Sequence, residues 1–229
     1  MTESRNNFDA ITLRQPSDLD DTLLESPLPI VIRGLVSSWP AVNKAEHSNE
    51  SLIDYICQFD QSHRLTALIT PPECGGRIFY NDSITGFNFE QVRTTLTRAL
   101  DQLMTFNAET PPPGLYIGST HLGHWLPGFS EDNPLLLPDK EPIASIWIGN
   151  QSRIAAHFDF PSNLACVVSG HRRVTLFPPE QINNLYVGPL DFTPAGQPIS
   201  LVDFRQPDWE AFPKFPTALE HAVVAGLEP

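Results

Sequence analysis

Residues 152–179 read SRIAAHFDFPSNLACVVSGHRRVTLFPP. Apolar, β-rich runs alternate there with Pro, Ser, Asn and Gly, as short strands broken by turns require. VSGHRR reads as a hairpin, with Gly170 free to take a positive φ at the turn. On a strand, residues two apart share a face, roughly 7 Å apart along the backbone. His157 and Asp159 would then aim an imidazole and a carboxylate at one point, with Phe158 turned away. That donor pair suits a borderline divalent metal, and two His with one carboxylate make the facial triad of non-haem Fe(II) oxygenases. HxD alone is weak evidence. Arg172, on the strand after the hairpin, is either a solvated strand residue or a two-pronged clamp for a carboxylate; Arg173 should face the other way.

The same β signal extends outward. LYIGS, ASIWIGN, SRIAAHF, LACVVS, RRVTLFP, PISLVDF and HAVVAG are short runs bounded by Gly, Pro, Asn or Ser, which suggests a sandwich or barrel over residues 111–229. Residues 1–110 read as a mixed, helix-bearing part of the same domain. SDLDDTLLES offers Ser17 as an N-cap, with DLDD as a solvated helix start. LPIVIRGLV reads as a buried strand closed by Gly34, and SNESLIDYICQF as a helix. NFEQVRTTLTRALDQLMTF predicts a helix over 88–106, because Asn88 and Gln91 have capping-box spacing and Phe89, Val92, Leu96, Leu100 and Leu103 form a stripe. TPPPG ends it.

Composition narrows the function classes. The chain has 229 residues, 23 of them proline, and a formal net charge of −13. Scattered proline favours short strands and rigid loops. The acidic balance and the lack of any basic run give no support to a nucleic-acid or anionic-membrane partner. Cys57, Cys74 and Cys166 form no CxxC pair and read as reduced thiols. The polar start and the lack of a long apolar run predict neither signal peptide nor membrane span, hence a cytoplasmic protein.

Four stretches carry a resemblance: PIVIRGLVSSWPAV, GLYIG, AHFDFPSNLACVVSGHRRVTLFPPEQINNLY and VDFRQPDWEAFPKFPTA. Together they resemble the cupin-like branch of the JmjC family, Fe(II)- and 2-oxoglutarate-dependent oxygenases that include the asparaginyl hydroxylase of hypoxia-inducible factor. The resemblance implies a mainly β fold, a double-stranded β-helix or jelly roll, with helices flanking it. It implies His157 and Asp159 as Fe(II) ligands. Arg172 falls where the family carries a lysine for the distal carboxylate of 2-oxoglutarate, Tyr116 would donate to the same carboxylate, and Asn163 would touch the co-substrate. A protein or peptide side chain is the implied substrate, and a homodimer the implied full-length assembly.

The family's third ligand is a histidine on a late strand, and the sequence stops at HAVVAGLEP. The resemblance therefore implies missing closing strands, a third ligand beyond Pro229, and poor activity for these 229 residues. His221 reads as a satisfied strand histidine. His121 and His124 form an HxxH, but Gly123 and Pro127 argue against a helix presenting both. His47, His63 and His171 read as loop or turn residues, and Trp125, Trp147 and Trp209 as core or groove wall. Two rivals stand beside the enzyme: a non-catalytic cupin-like binding module, and a tRNA hydroxylase that the charge disfavours.

Overall fold

The computed structural model describes residues 6–7, 9–12, 25–135, 137 and 141–229. The Ser17 cap and the DLDD helix start lie outside them.

Two short strands, β1 (Asn6–Asn7) and β2 (Asp9–Thr12), precede β3 (Ile30–Arg33), which pairs with β2 in parallel. Gly34 ends β3 at φ +76 and its carbonyl accepts from both Ser37 N–H and Ser37 Oγ. Helix α1 (Pro40–His47) follows, started by a proline whose fixed φ suits the first helical position. Helix α2 (Asn49–Cys57) is the one anticipated from SNESLIDYICQF. Ser48 Oγ caps it by accepting from Ser51 N–H at 3.0 Å, and Tyr55 and Ile56 face the core.

The central sheet is four-stranded and antiparallel, ordered β6–β4–β7–β8: β4 (Arg64–Thr70), β6 (Glu90–Thr95), β7 (Gly114–His121) and β8 (Ser145–Gly149). Strand β6 corrects the sequence expectation. The helix predicted over 88–106 begins only at Leu96, as α3 (Leu96–Asn107). Val92, Thr94 and Thr95 are β-branched, and β4 offers a full ladder from Arg64↔Thr95 to Ile69↔Glu90, so strand wins over helix there. Asn88 is no helix cap. Its amide donates to Arg77 O at 2.8 Å and accepts from Phe79 N–H at 2.9 Å. Leu96, Ala99, Leu100 and Leu103 on α3 join Leu65, Ala67, Leu115 and Ile117 of the sheet in the main core, with Ile146 and Ile148 of β8 against it.

Loops carry the chain through α4 (Leu122–Trp125) and α5 (Phe129–Asp132). As Gly123 and Pro127 lead one to expect, no helix presents both histidines of the HxxH: His121 ends β7, and only His124 lies on the one-turn α4. A single turn tolerates Gly123, and Pro127 lies past its end. Buried Asn133 fastens α5 to the other helices. It donates to Tyr55 Oη at 2.7 Å and accepts from Ala41 N–H at 2.9 Å, while Tyr55 Oη donates to Asp132 at 2.6 Å.

The second half has β5 (Arg77–Ile78) parallel to β9 (Arg153–Ile154), and β10 (Arg172–Leu176) antiparallel to β11 (Val223–Leu227), with β1 on the far edge of β11. Helix α6 (Phe215–Glu220) packs Phe215 and Ala218 against Val202, Phe177 and Phe204. Three expected strands are reduced. SRIAAHF keeps only Arg153–Ile154, LACVVS forms no ladder, and PISLVDF contributes one bridge, Val187–Ser200. A strand persists only where neighbours take up its N–H and C=O groups, and among the described residues the 157–168 segment has none alongside. Gly170 does take φ +74, yet β10 pairs with β11 rather than with 164–169. The architecture is mainly β with flanking helices, antiparallel in its main sheets and jelly-roll-like.

Candidate metal and co-substrate site

Strand β9 delivers the HxD segment, and it is anchored by charge. Arg153 donates to Gly75 O and Cys74 O, both at 3.1 Å, and reaches Asp203 at 3.3 Å. Asp203 also meets Arg77 at 3.6 Å, and the Arg77 guanidinium lies 3.5 Å over the Phe79 ring. Burial pushes the Asp203 carboxyl up, but the Arg205 N–H and the Arg77 and Arg153 guanidiniums outweigh it and hold the group below its ordinary value. Just downstream, Ser200 N–H donates to Ala156 O at 2.8 Å.

His157 and Asp159 follow on irregular, exposed backbone rather than on a strand. His157 Nδ1 lies 2.9 Å from Ala155 O. A carbonyl can only accept, so Nδ1 is the donor, and in the neutral ring this tautomer leaves the Nε2 lone pair for another partner. Asp159 is gripped from both sides: Asn163 Nδ2 donates to Oδ2 at 3.0 Å, and Gln197 Nε2 donates to Oδ1 at 2.8 Å. Asn163, expected against the co-substrate, donates to this carboxylate. Gln197 was not anticipated, because it lies 38 positions from Asp159, beyond β10, and no periodicity links the two.

Tyr116 sits on β7, half-buried and directly opposite Gly149 of β8. Burial raises its phenol pKa, the Arg172 guanidinium lowers it and the Asp159 carboxylate raises it again, so all three groups share one electrostatic neighbourhood. Arg172 opens β10 and borders a shallow depression with Arg33, His171 and Arg173. Arg172 and Arg173 are both exposed. Around the HxD segment, Phe158 and Phe160 are 60% and 94% exposed.

Among the described residues, no group of three or more His, Cys, Asp or Glu side chains is placed to hold a metal ion. His221 sits at the C-cap of α6 rather than on a strand, with Nδ1 at 3.0 Å from Thr217 O. His121 lies against Gly123. The three cysteines are free, and burial pushes the Cys166 thiol up to about 11. Among the described residues no helix is long and apolar enough to cross a membrane.

The family model described as a cupin-like domain matches residues 16–229. JmjC domain-containing protein D of Dictyostelium discoideum is 24% identical over 211 residues, covering 82% of this chain and 42% of its own length. JmjC domain-containing protein F of the same organism is 33% identical over 96 residues, 37% of this chain and 20% of its own. The chain thus spans less than half the length of these relatives. Matched over nearly all of its length, with a jelly-roll-like fold around the HxD segment, the chain belongs to the cupin-like domain family.

Proposed function

We propose that this chain carries the metal- and co-substrate-binding face of an Fe(II)- and 2-oxoglutarate-dependent oxygenase that hydroxylates a protein or peptide side chain. One observation carries the reading: a histidine whose Nδ1 is bonded to a carbonyl stands two residues from a carboxylate held by two amides, and that carboxylate and Arg172 both act electrostatically on Tyr116. Neutral imidazole nitrogen and carboxylate oxygen are the donor types of the facial triad, so the residues fit the metal. The JmjC names of the two relatives support the same class.

In this reading His157 Nε2 and Asp159 hold the ion, and a further histidine outside the residues that meet here completes the triad. Iron with its 2-oxo acid supplies the oxygen activation when bound. The protein's own work is local. Ala155 O fixes the imidazole tautomer, Asn163 and Gln197 fix the carboxylate rotamer, and Arg172 presents a charged fork to a dicarboxylate. With its pKa above the ordinary range, Tyr116 stays protonated and donates to the same anion. With two such ligand side chains among the described residues, weak metal binding and little turnover are expected of these residues on their own. The −13 charge favours a protein substrate over nucleic acid; a cytoplasmic location and a homodimer belong to the same proposal.

A titration of Mn(II), read by electron paramagnetic resonance with and without 2-oxoglutarate, tests the reading. Tighter binding in the presence of 2-oxoglutarate is expected, lost in Asp159→Ala and, for the coupling alone, in Arg172→Gln. Metal binding indifferent to 2-oxoglutarate overturns it. No binding at all favours a second reading, a non-catalytic cupin-like module, to which the occupation of both Asp159 oxygens by amides already points.

A further inference from the structure

We propose that His63 and His124 form a separate two-imidazole site for a late first-row divalent ion, copper(II), nickel(II) or zinc(II). The residues lie 61 positions apart, His63 just ahead of β4 and His124 on α4, yet their ring centroids are 4.3 Å apart with planes inclined at 59°. Both side chains are exposed, and among the described residues no hydrogen bond takes up a nitrogen of either ring. An ion with metal–nitrogen bonds of about 2.0–2.1 Å spans donors up to about twice that apart, within reach of two rings so placed after a small χ2 rotation.

The backbone on both sides is held. Gln61 N–H donates to Trp125 O at 3.3 Å, tying the residue after His124 to the chain two before His63. Asp60 accepts from Ser62 N–H at 2.9 Å and from Thr97 Oγ1 at 2.9 Å, which fixes Ser62 at φ +57. The Trp125 ring packs edge-on to His124 at 4.3 Å, restricting it further. With two nitrogens and no carboxylate or thiolate joining them, the site prefers imidazole-seeking ions over calcium or magnesium, and water completes the coordination.

Calorimetric titration of chelator-treated protein with copper(II), nickel(II) and zinc(II) decides it. Besides any ion taken up by His157 and Asp159, one site is expected for each metal, weakened about tenfold or more by His63→Ala and equally by His124→Ala. The site should persist in the His157→Ala/Asp159→Ala double variant, which separates it from the proposed iron ligands. His63→Gln and His124→Gln, with melting curves, check that the exposed substitutions leave the fold intact. Binding unchanged in either histidine variant, or abolished in the His157/Asp159 variant, overturns the proposal.

Discussion

Gly149 stands directly opposite Tyr116 in the β7–β8 ladder, and a Cβ at that position would lie 3.4 Å from the Tyr116 ring and 2.7 Å from the Leu115 carbonyl oxygen. Gly118 contributes a second opening, since a Cβ there would meet the ring at 3.1 Å. The phenol therefore lies in a cradle made by missing side chains. Gly149→Ala presses on backbone that cannot yield cheaply, so the expected loss is about 1–3 kcal/mol, as for overpacking elsewhere. Urea unfolding of the two proteins measures it. A neutral result would mean that the Leu115 backbone shifts freely, and the cradle would lose its meaning.

Asn133 is the polar joint of the helical layer. Its side chain satisfies Ala41 N–H and Tyr55 Oη and also donates to Phe129 O at 2.9 Å, all within buried surroundings. Asn133→Ala leaves the Ala41 N–H without a partner, at a cost of about 1–3 kcal/mol. Asn133→Asp keeps the acceptor toward Ala41 but puts a charge beside Tyr55 and Asp132, so it should do no better. Denaturant midpoints for both variants check the pair. If Asn133→Asp matches the native protein, the donating half of the side chain contributes nothing.

Where one face of an element is buried, the sequence announced it. The apolar run IVIR, the stripe of α3 from Leu96 and the alternation of LYIGS all found their places, because burial imposes a period on the side chains. The same rule explains the failure at 88–95. Val92 fits a helical stripe and a strand face equally well, and only β4, some 25 residues upstream, decides between them. The residue types of the candidate site could be picked out from the sequence, but not their arrangement. His157, Asp159 and Tyr116 stand out from motif and resemblance, whereas Gln197 and the Arg77–Asp203–Arg153 anchor join residues far apart in the chain whose meeting only the folded loops determine.

That anchor makes the fold acid-sensitive with a definite sign. The folded pKa of Asp203 lies below its ordinary value, so its contribution is fully present above the usual carboxylate range of about 4 and is lost as pH falls through the folded value. Asp203→Asn should therefore destabilise the protein at neutral pH, and the gap between variant and native should close on acidification. Paired unfolding curves from pH 7 down to about 3 measure it. A gap that stays constant with pH would assign the loss to hydrogen bonding, chiefly the Arg205 N–H contact at 2.9 Å, rather than to charge.

The two amides on Asp159 allow opposite outcomes, and the direction separates two roles. If Asn163 and Gln197 orient the carboxylate toward an ion, Asn163→Ala and Gln197→Ala each lower Mn(II) affinity, by about 10–100-fold as for other outer partners of metal ligands. If they compete for the same lone pairs, affinity rises instead. We expect the fall: each oxygen accepts only one amide and retains a second acceptor direction. Gln197 joins the 197–200 segment, tied to Ala156 through Ser200, to the carboxylate, so its loss should also loosen the segment and exceed the loss from Asn163. Metal titration of both variants with stability monitored in parallel provides the check. Asn163 is exposed, and its removal should change stability by no more than about 0.5 kcal/mol, so a drop in affinity there reports on the carboxylate and not on the fold.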